Sequence, residues 1–477
     1  MSDDLDFEVE VRGTDDLESL GSDTESSKGK TEVEPSVSIE SDKTSKAITR
    51  DAEWGALGIP PEEWGIDYMS NRFSVVKESV DPSSMPEEKE VVLYSMPAFD
   101  EGREPVVTKA GTIGSKKFRV PPHALLFPKL NIGKQRFWLV QHNHSKPALC
   151  STEYWPLVPK EELNLEYYHQ LFGSRAFVAK PRLSTSSTTN SHQRIKSNLF
   201  EKVRIPLPPL PEQRKIVSVL HAVDQAIQKT EEIIDQAKRV KRGLMQKLFR
   251  DGTEEAKNFQ STQYGPAPSH WSVRQISELA TQIQAGGTPD TSKEEYYGGQ
   301  IPWIRTGELR QKRIRSPEKC ITEAGFQNST ARLFSKGTVL VAMYGATAGE
   351  SAMLEVEATS NQACCGVVTD EKTIYPEFLF QQLLYLKRNL IALGAGSGQQ
   401  NISKGIISNF RVLVPPSEEQ RKIASMLKKW DEEIEVGEQH RNGLKRLKKG
   451  LMQDLLTGDV RTADKAIEVL GEVEAHG

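Results

Sequence analysis

The stretch "PLPPLPEQRKIVSVL", Pro206 to Leu220, is answered 207 residues later by "LVPPSEEQRKIASML", Leu413 to Leu427. The pairing runs without a gap from Pro208/Pro415 to Gly252/Asp459, and 20 of these 45 pairs are identical. Glu212/Glu419, Gln213/Gln420, Arg214/Arg421, Lys215/Lys422 and Ile216/Ile423 stand near its start. Gly243-Leu244-Met245-Gln246 matches Gly450-Leu451-Met452-Gln453 near its end. The same offset joins "GIPPEEW", Gly58 to Trp64, to "GPAPSHW", Gly265 to Trp271. Solenoid repeats run only about 20–50 residues, so the repeated unit is a whole domain followed by a helix. It occurs twice.

Each repeated segment carries a helix start. Pro211 suits the first helical position, where its missing N–H costs nothing. Ser417 stands three residues before Gln420, the spacing of a capping box. Apolar positions then step by fours and threes. The first copy gives Ile216, Leu220, Val223, Ile227, Thr230, Ile234, Ala237, Lys241, Leu244 and Leu248. The second gives Ile423, Leu427, Trp430, Ile434, Gly437, Arg441, Leu444, Lys448, Leu451 and Leu455. Eight and seven of these ten positions are apolar, a heptad stripe sustained as in a coiled coil. A helix of about 40 residues is about 60 Å long. Each helix could lie as an amphipathic lid on its own domain. So narrow a stripe instead favours a partner helix, and the other copy is the nearest one. Antiparallel pairing would put the two domains at opposite ends of a rod.

The predicted fold class is α+β, two tandem mixed α/β domains joined by two long helices in an antiparallel coiled coil. The expected order is a tail over 1–50, a first domain over 51–205, a first helix over 206–253, a linker and second domain over 254–413, a second helix over 414–460 and a tail over 461–477. Residues 1–50 hold 14 Asp/Glu against 6 Lys/Arg, so the net charge of −4 hides +4 on the rest. That acidic, Ser-rich stretch cannot bury enough apolar surface to offset its ordering entropy and reads as disordered. In the second domain, "KGTVLVAMYGATAGESAML" places a strand before a Gly-rich turn, "ATSNQACCGVV" a further strand, and "PEFLFQQLLYLKRNLIAL" an amphipathic helix. No apolar run approaches the roughly 18 residues of a membrane span, which gives a cytoplasmic expectation. Cys150, Cys320, Cys364 and Cys365 show no metal-ligand spacing, and His142 and His144 lack partners for a metal site.

Taken together, "GGTPDTSKEEYYGGQIPWIRTGEL", "LVAMYGATAGE", "SNQACCGV", "SGQQNISKGIISNF" and the duplicated proline–"EQRKI"–helix–"GLMQ" segments resemble the specificity subunit of type I restriction-modification systems, over essentially all of residues 51–460. The resemblance implies that each domain reads one half of a bipartite double-stranded DNA site. It implies that the helices set the unread spacer and dock modification subunits, at positions that include Glu212, Gln213, Arg214, Glu419, Gln420 and Arg421. It implies no catalysis, metal or cofactor in this chain. S-adenosylmethionine would belong to the modification subunits, and ATP and Mg to restriction/translocase subunits. A complex with methyltransferase subunits alone is the alternative. A self-contained endonuclease–methyltransferase needs a cofactor loop and a Pro-Pro-aromatic motif that the chain lacks. A purely structural coiled-coil protein leaves the two large domains unexplained.

Polar and cationic side chains in the apparent loops are the candidates for DNA contact, because Arg, Asn and Gln match base edges while Lys, Ser and Thr hold phosphates. In the second domain these are Thr288, Trp303, Arg305, Thr306, Tyr344, Thr347, Gln399, Gln400 and Asn401, with Gly287 and Gly345 for close backbone approach. In the first they are Lys129, Asn131, Lys134, Arg136, Ser186, Ser187, His192, Gln193, Arg194 and Lys196. The first domain lacks the "GGTP" and "PWIRTGE" elements, as two domains reading different half-sites would differ.

Overall fold

The computed structural model describes residues 57–142, 145–179, 194–195, 202–253, 256, 258–394 and 401–462. The predicted acidic tail and nearly all of the C-terminal tail lie outside these. Four helices organise the molecule: α1 (Leu165–Gly173), α2 (Leu210–Asp251), α3 (Pro376–Tyr385) and α4 (Ser417–Thr457).

Each domain closes on itself before the chain enters its long helix. Gly65–Tyr68 pairs antiparallel with Arg204–Leu207, and Ser272–Gln275 with Arg411–Val414 in the same register, Gly65 facing Leu207 and Ser272 facing Val414. The duplicated Glu-Gln then locks helix to domain. Trp64 Nε1 donates to Glu212 and Trp271 Nε1 to Glu419, both at 3.0 Å. Gln213 donates to Pro208 O at 2.8 Å and accepts from Asn164 N at 3.0 Å. Gln420 repeats this with Pro415 O at 2.9 Å and Tyr375 N at 2.7 Å. The expected capping box is not formed. Ser417 is already the first helical residue, and Gln420 is committed to the proline carbonyl. In α2 the helix begins one residue earlier than expected, so Pro211 is its second residue.

The helices α2 and α4 pack along their lengths and antiparallel, with all twenty predicted seam positions buried or half-buried. The ion pairs across them obey the repeat. Asp224 pairs with Lys448 at 2.7 Å and Asp431 with Lys241 at 2.5 Å. Glu231 pairs with Lys445 at 2.7 Å and Glu438 with Lys238 at 2.6 Å. Every member is identical in both copies, so each pair has its twin about a pseudo-twofold axis through the rod's middle. There the helices come close: a Cβ on Gly437 would lie 2.9 Å from Ile234 Cγ1. At the rod's ends, Leu248 and Phe249 of α2 enter the second domain's core beside Trp271, Phe378 and Leu427. Leu455 and Leu456 of α4 enter the first domain's core beside Trp64, Tyr168 and Leu220.

The first domain holds a four-stranded sheet, Phe73–Val75, Tyr154–Pro159, His123–Pro128 and Trp138–Gln141 in spatial order, and a second sheet of five short strands. The second domain holds a five-stranded sheet, Ala280–Ala285, Cys364–Thr369, Val339–Ala342, Ser351–Leu354 and Arg313–Ile314, and a three-stranded one. One expected element is corrected. The helix predicted over "PEFLFQQLLYLKRNLIAL" breaks at Leu386 and is not amphipathic in its first part: every residue from Pro376 to Leu383 is buried. It is wedged between the sheet and both long helices, and a helix enclosed on all sides needs no polar face.

Glu212 gives this architecture a pH signature. Burial pushes its carboxyl up, but hydrogen bonds from Arg461 and Trp64 outweigh it and hold the group below its ordinary 4.5. A depressed carboxyl stabilises the fold above its unfolded value, and the gain is lost as pH falls through the folded one. Glu212→Gln is therefore expected to cost about 1–2 kcal/mol at pH 7, with the deficit full above pH 4.5 and shrinking below it, as calorimetry on both proteins from neutral to acid pH would read.

Candidate nucleic-acid interface

In the second domain three loops converge on one edge. Gly286 N donates to Cys364 O at 2.9 Å and Gly287 N to Ser360 O at 2.8 Å, pressing the end of strand Ala280–Ala285 onto the loop after Thr359–Ser360. A Cβ would lie 2.2 Å from Ser360 O at Gly286, and 2.2 Å from Ala331 N at Gly287. Glycine is required there by the chain's own backbone. From the same loop, Ala363 O accepts Met343 N at 2.8 Å, and Met343 O accepts Ile402 N at 2.6 Å. Tyr344 and Asn401 form a β-bridge, and the Thr288 hydroxyl bonds the Gln362 amide. Gln362, Tyr344, Gly345 and Asn401 are exposed, with Thr288 half-buried beside them. Gly345 has φ +79° and nothing within 4 Å of its would-be Cβ, so it adopts a left-handed turn that opens outward. The edge thus offers two amides, a hydroxyl, a phenol and a bare stretch of backbone. Amides of this kind can bond the Watson–Crick-independent groove edge of adenine bidentately.

Other expected positions are otherwise engaged. Trp303 is 6% exposed and donates to Gly287 O at 2.9 Å, so it holds the loop from behind. Thr347 is buried. Arg305 pairs with Glu318, and its backbone N–H donates to Glu308 at 2.9 Å, while Thr306 opens the short helix Thr306–Gln311 and is half-buried. In the first domain Arg136 is 7% exposed and grips both carboxylate oxygens of Asp100, its Nε donating at 2.7 Å. Its guanidinium, spent on that pair, is not presented outward. Lys129 is half-buried, its ammonium 5.7 Å from the Phe118 ring and 5.8 Å from the Trp155 ring. Burial pulls its pKa below the ordinary value. Arg194 is exposed and pairs with Glu153 at 2.6 Å.

Lys134 is exposed too, on a tight turn between two left-handed residues, Asn131 with φ +51° and Gln135 with φ +53°. Residues 194–195 come to the same edge through Ile195 N to Lys129 O at 2.9 Å and a bridge from Arg194 to Leu130. Ser186, Ser187, His192, Gln193, Lys196, Gln399 and Gln400 lie outside the described residues. Gln362 was not among the sequence candidates, because its place at this edge comes from bonds to residues distant in sequence, Gly287 to Ser360, Met343 to Ala363 and its own to Thr288.

Of the expected docking positions, Glu212, Gln213, Glu419 and Gln420 serve the internal helix-to-domain lock. Glu419 also accepts from Thr253 N at 3.0 Å and His270 at 2.9 Å. Arg214 is exposed beside Glu162 at 3.0 Å, and Arg421, also exposed, lies over the Tyr375 ring at 4.8 Å. The rod itself has two unlike sides. In antiparallel pairs the positions after the seam face each other, as do those before it. The first set carries Asp224, Glu231, Lys238, Asp431, Glu438 and Lys445. The second carries Ile233 at 67% exposure, Val240 at 37% and Leu447 at 46%, with Val436 at 61% nearby.

Among the described residues, no group of three His, Cys, Asp or Glu could hold a metal ion, and no helix is long and apolar enough to cross a membrane. Burial pushes the thiols of Cys150 and Cys365 up to about 12 and that of Cys364 higher still, which leaves them unreactive.

The family model of the type I restriction modification DNA specificity domain matches residues 111–239 and 268–446. A putative type I restriction enzyme MjaX specificity subunit from Methanocaldococcus jannaschii is 24% identical over 423 residues, 85% of this chain and 95% of that one. A chain from a structural study of type I R-M complex assembly and conformational transition superposes with TM-score 0.55 at 20% identity, covering 84% of this chain and 99% of that one. The type I restriction-modification S subunit of M. genitalium gives 0.52 at 15% identity, covering 82% and 96%.

The contrast between Arg136 and Lys134 is measurable in the free protein. Arg136→Gln breaks a charge-assisted pair between a buried arginine and an exposed Asp100, and is expected to cost about 1 kcal/mol. Lys134→Gln, on an open turn, should stay within about 0.5 kcal/mol. Denaturant unfolding of the two variants reads the difference.

Proposed function

The chain belongs to the family of type I restriction-modification DNA specificity subunits, and from that premise we propose that it reads a bipartite DNA site, one half with each globular domain, and makes or breaks no bond itself. The observation that carries this reading is the twinned set of ion pairs along the rod, made by residues identical in the two repeats. It places two related domains at opposite ends of a rod about 60 Å long, less than two turns of B-DNA at ~34–36 Å each. Two domains so related meet two short sequences across a stretch that neither reads.

In the second domain Gln362, Asn401, Tyr344 and Thr288 would face base edges, with Gly345 allowing the backbone close. In the first, Lys134 and Arg194 would hold phosphates, which set register without carrying sequence information. Modification subunits would dock along the apolar side of the rod, where Ile233, Val240, Val436 and Leu447 are exposed, with Arg214 and Arg421 at its two ends. S-adenosylmethionine would be held by those subunits and used on adenine; ATP and Mg would be held by restriction subunits joined to the same core.

The test is a map of methylated adenines in cells with and without this gene. A split motif, two short blocks around a fixed gap, should lose methylation in the deletion strain; no gene-dependent motif would sink the reading. In the assembled complex, Gln362→Ala should relax one position of one block, by about 1–3 kcal/mol of discrimination. Lys134→Gln should weaken binding to all sequences alike and lower the salt slope by about 1.

A further inference from the structure

The second domain is tied to the rod by a chain of polar groups, buried at Arg313, Glu377 and Gln381 and half-buried at Asp431 and Lys241. Arg313, on the edge strand Arg313–Ile314, is 8% exposed; its guanidinium donates to Glu377 Oε1 at 2.5 Å and to Glu355 Oε1 at 3.0 Å, and lies 5.5 Å from the Phe380 ring. Gln381, one turn along α3, donates from Nε2 to Glu377 Oε1 at 2.9 Å and to Asp431 Oδ2 at 2.7 Å. Asp431 on α4 takes Lys241 of α2 on its other oxygen at 2.5 Å. Further along the rod, Arg315 pairs with Glu435. The path runs from a sheet of the domain, through α3, into both helices of the rod.

A side-chain amide nitrogen carries two hydrogens and no charge, so Gln381 can serve one carboxylate with each. A buried network of this kind is costly to disturb, because its members lose partners they cannot replace from water; Arg313 Nε and Gln381 Oε1 are the atoms of it that stay without a partner. The domain's apolar seat on the rod is at Ile423, Ala424 and Leu427. Glu435 is twelve residues past Ile423, about 18 Å along the helix, so the polar chain restrains the domain's angle with a long lever. Across the pseudo-twofold, Asp224–Lys448 repeats Asp431–Lys241, but among the described residues that pair has no hydrogen bond onward into the first domain.

We propose that Gln381, with Arg313, Glu377 and Arg315, positions the second domain at one angle to the rod and thereby fixes the number of base pairs between the two half-sites. This rests on reading the chain as a bipartite DNA reader. One base pair shifts the half-sites by ~3.4 Å and turns them by about 35°, so a domain free to swing would accept neighbouring spacers.

The experiment uses the complex of this chain with its modification subunits, methylating a DNA library in which the two blocks are separated by spacers of varied length. The readout is methylation at spacers one base pair off, relative to the native spacer. In Gln381→Leu that ratio should rise on the order of tenfold, the scale of one lost coupled contact, with the bases required in each block unchanged. Arg315→Ala, at an exposed arm of the same strut, should raise it less, and Lys448→Met should leave it unchanged. A merely structural role would lower methylation at every spacer alike. An unchanged ratio in Gln381→Leu overturns the proposal, as does an equal rise in Lys448→Met. If Gln381→Leu does not fold, an unchanged ratio in Arg315→Ala overturns it. A wild-type complex that needs no bipartite site would instead overturn the functional reading beneath it.

Discussion

Leu455 and Leu456, at the end of the second long helix, fill the core of the domain that starts the chain, and Leu248 and Phe249 fill the core of the other. Each such side chain is worth about 1.5–3 kcal/mol on burial. These contacts join residues far apart in sequence, so each domain's core is completed by a helix that leaves the opposite one. A slip of the rod by one heptad would pull both ends out of both cores and misalign all four ion pairs. Register is thus held at three places at once, and the separation of the domains follows from it.

The duplication also explains why so few residue identities specify so much. Asp224, Glu231, Lys238 and Lys241 recur as Asp431, Glu438, Lys445 and Lys448 because each bonds a residue of the other copy. A single repeat supplies both halves of a complementary surface. The heptad stripe was legible because helical periodicity is a local property of sequence, and antiparallel pairing followed from the presence of two stripes. The role of the repeated Glu-Gln was not legible. Its partners, Trp64 and Asn164 in one copy and Trp271 and Tyr375 in the other, lie 45 to 148 residues away. The resemblance counted these positions among the docking sites; their side chains form the same internal lock in both copies.

The candidate DNA-facing residues divide for a similar reason. Residue type tells what chemistry a side chain can do, and not whether it is already engaged. Arg136 has the fork that suits guanine, but Asp100 on a neighbouring helix holds it. Trp303 follows a Gly-rich motif that suggests close approach, and the approach is of the chain to itself. The exposure of Tyr344 and Gly345 was legible because a polar turn after a buried strand has nowhere to go but the surface.

The account makes the two domains independent readers on one shared frame. The most direct measurement replaces residues 259–413 with the corresponding domain of a related subunit of different specificity and maps the methylated motif. It predicts that one block of the motif changes, while the other block stays as it was. A change in both blocks, or in neither, would contradict the assignment of one half-site to each domain.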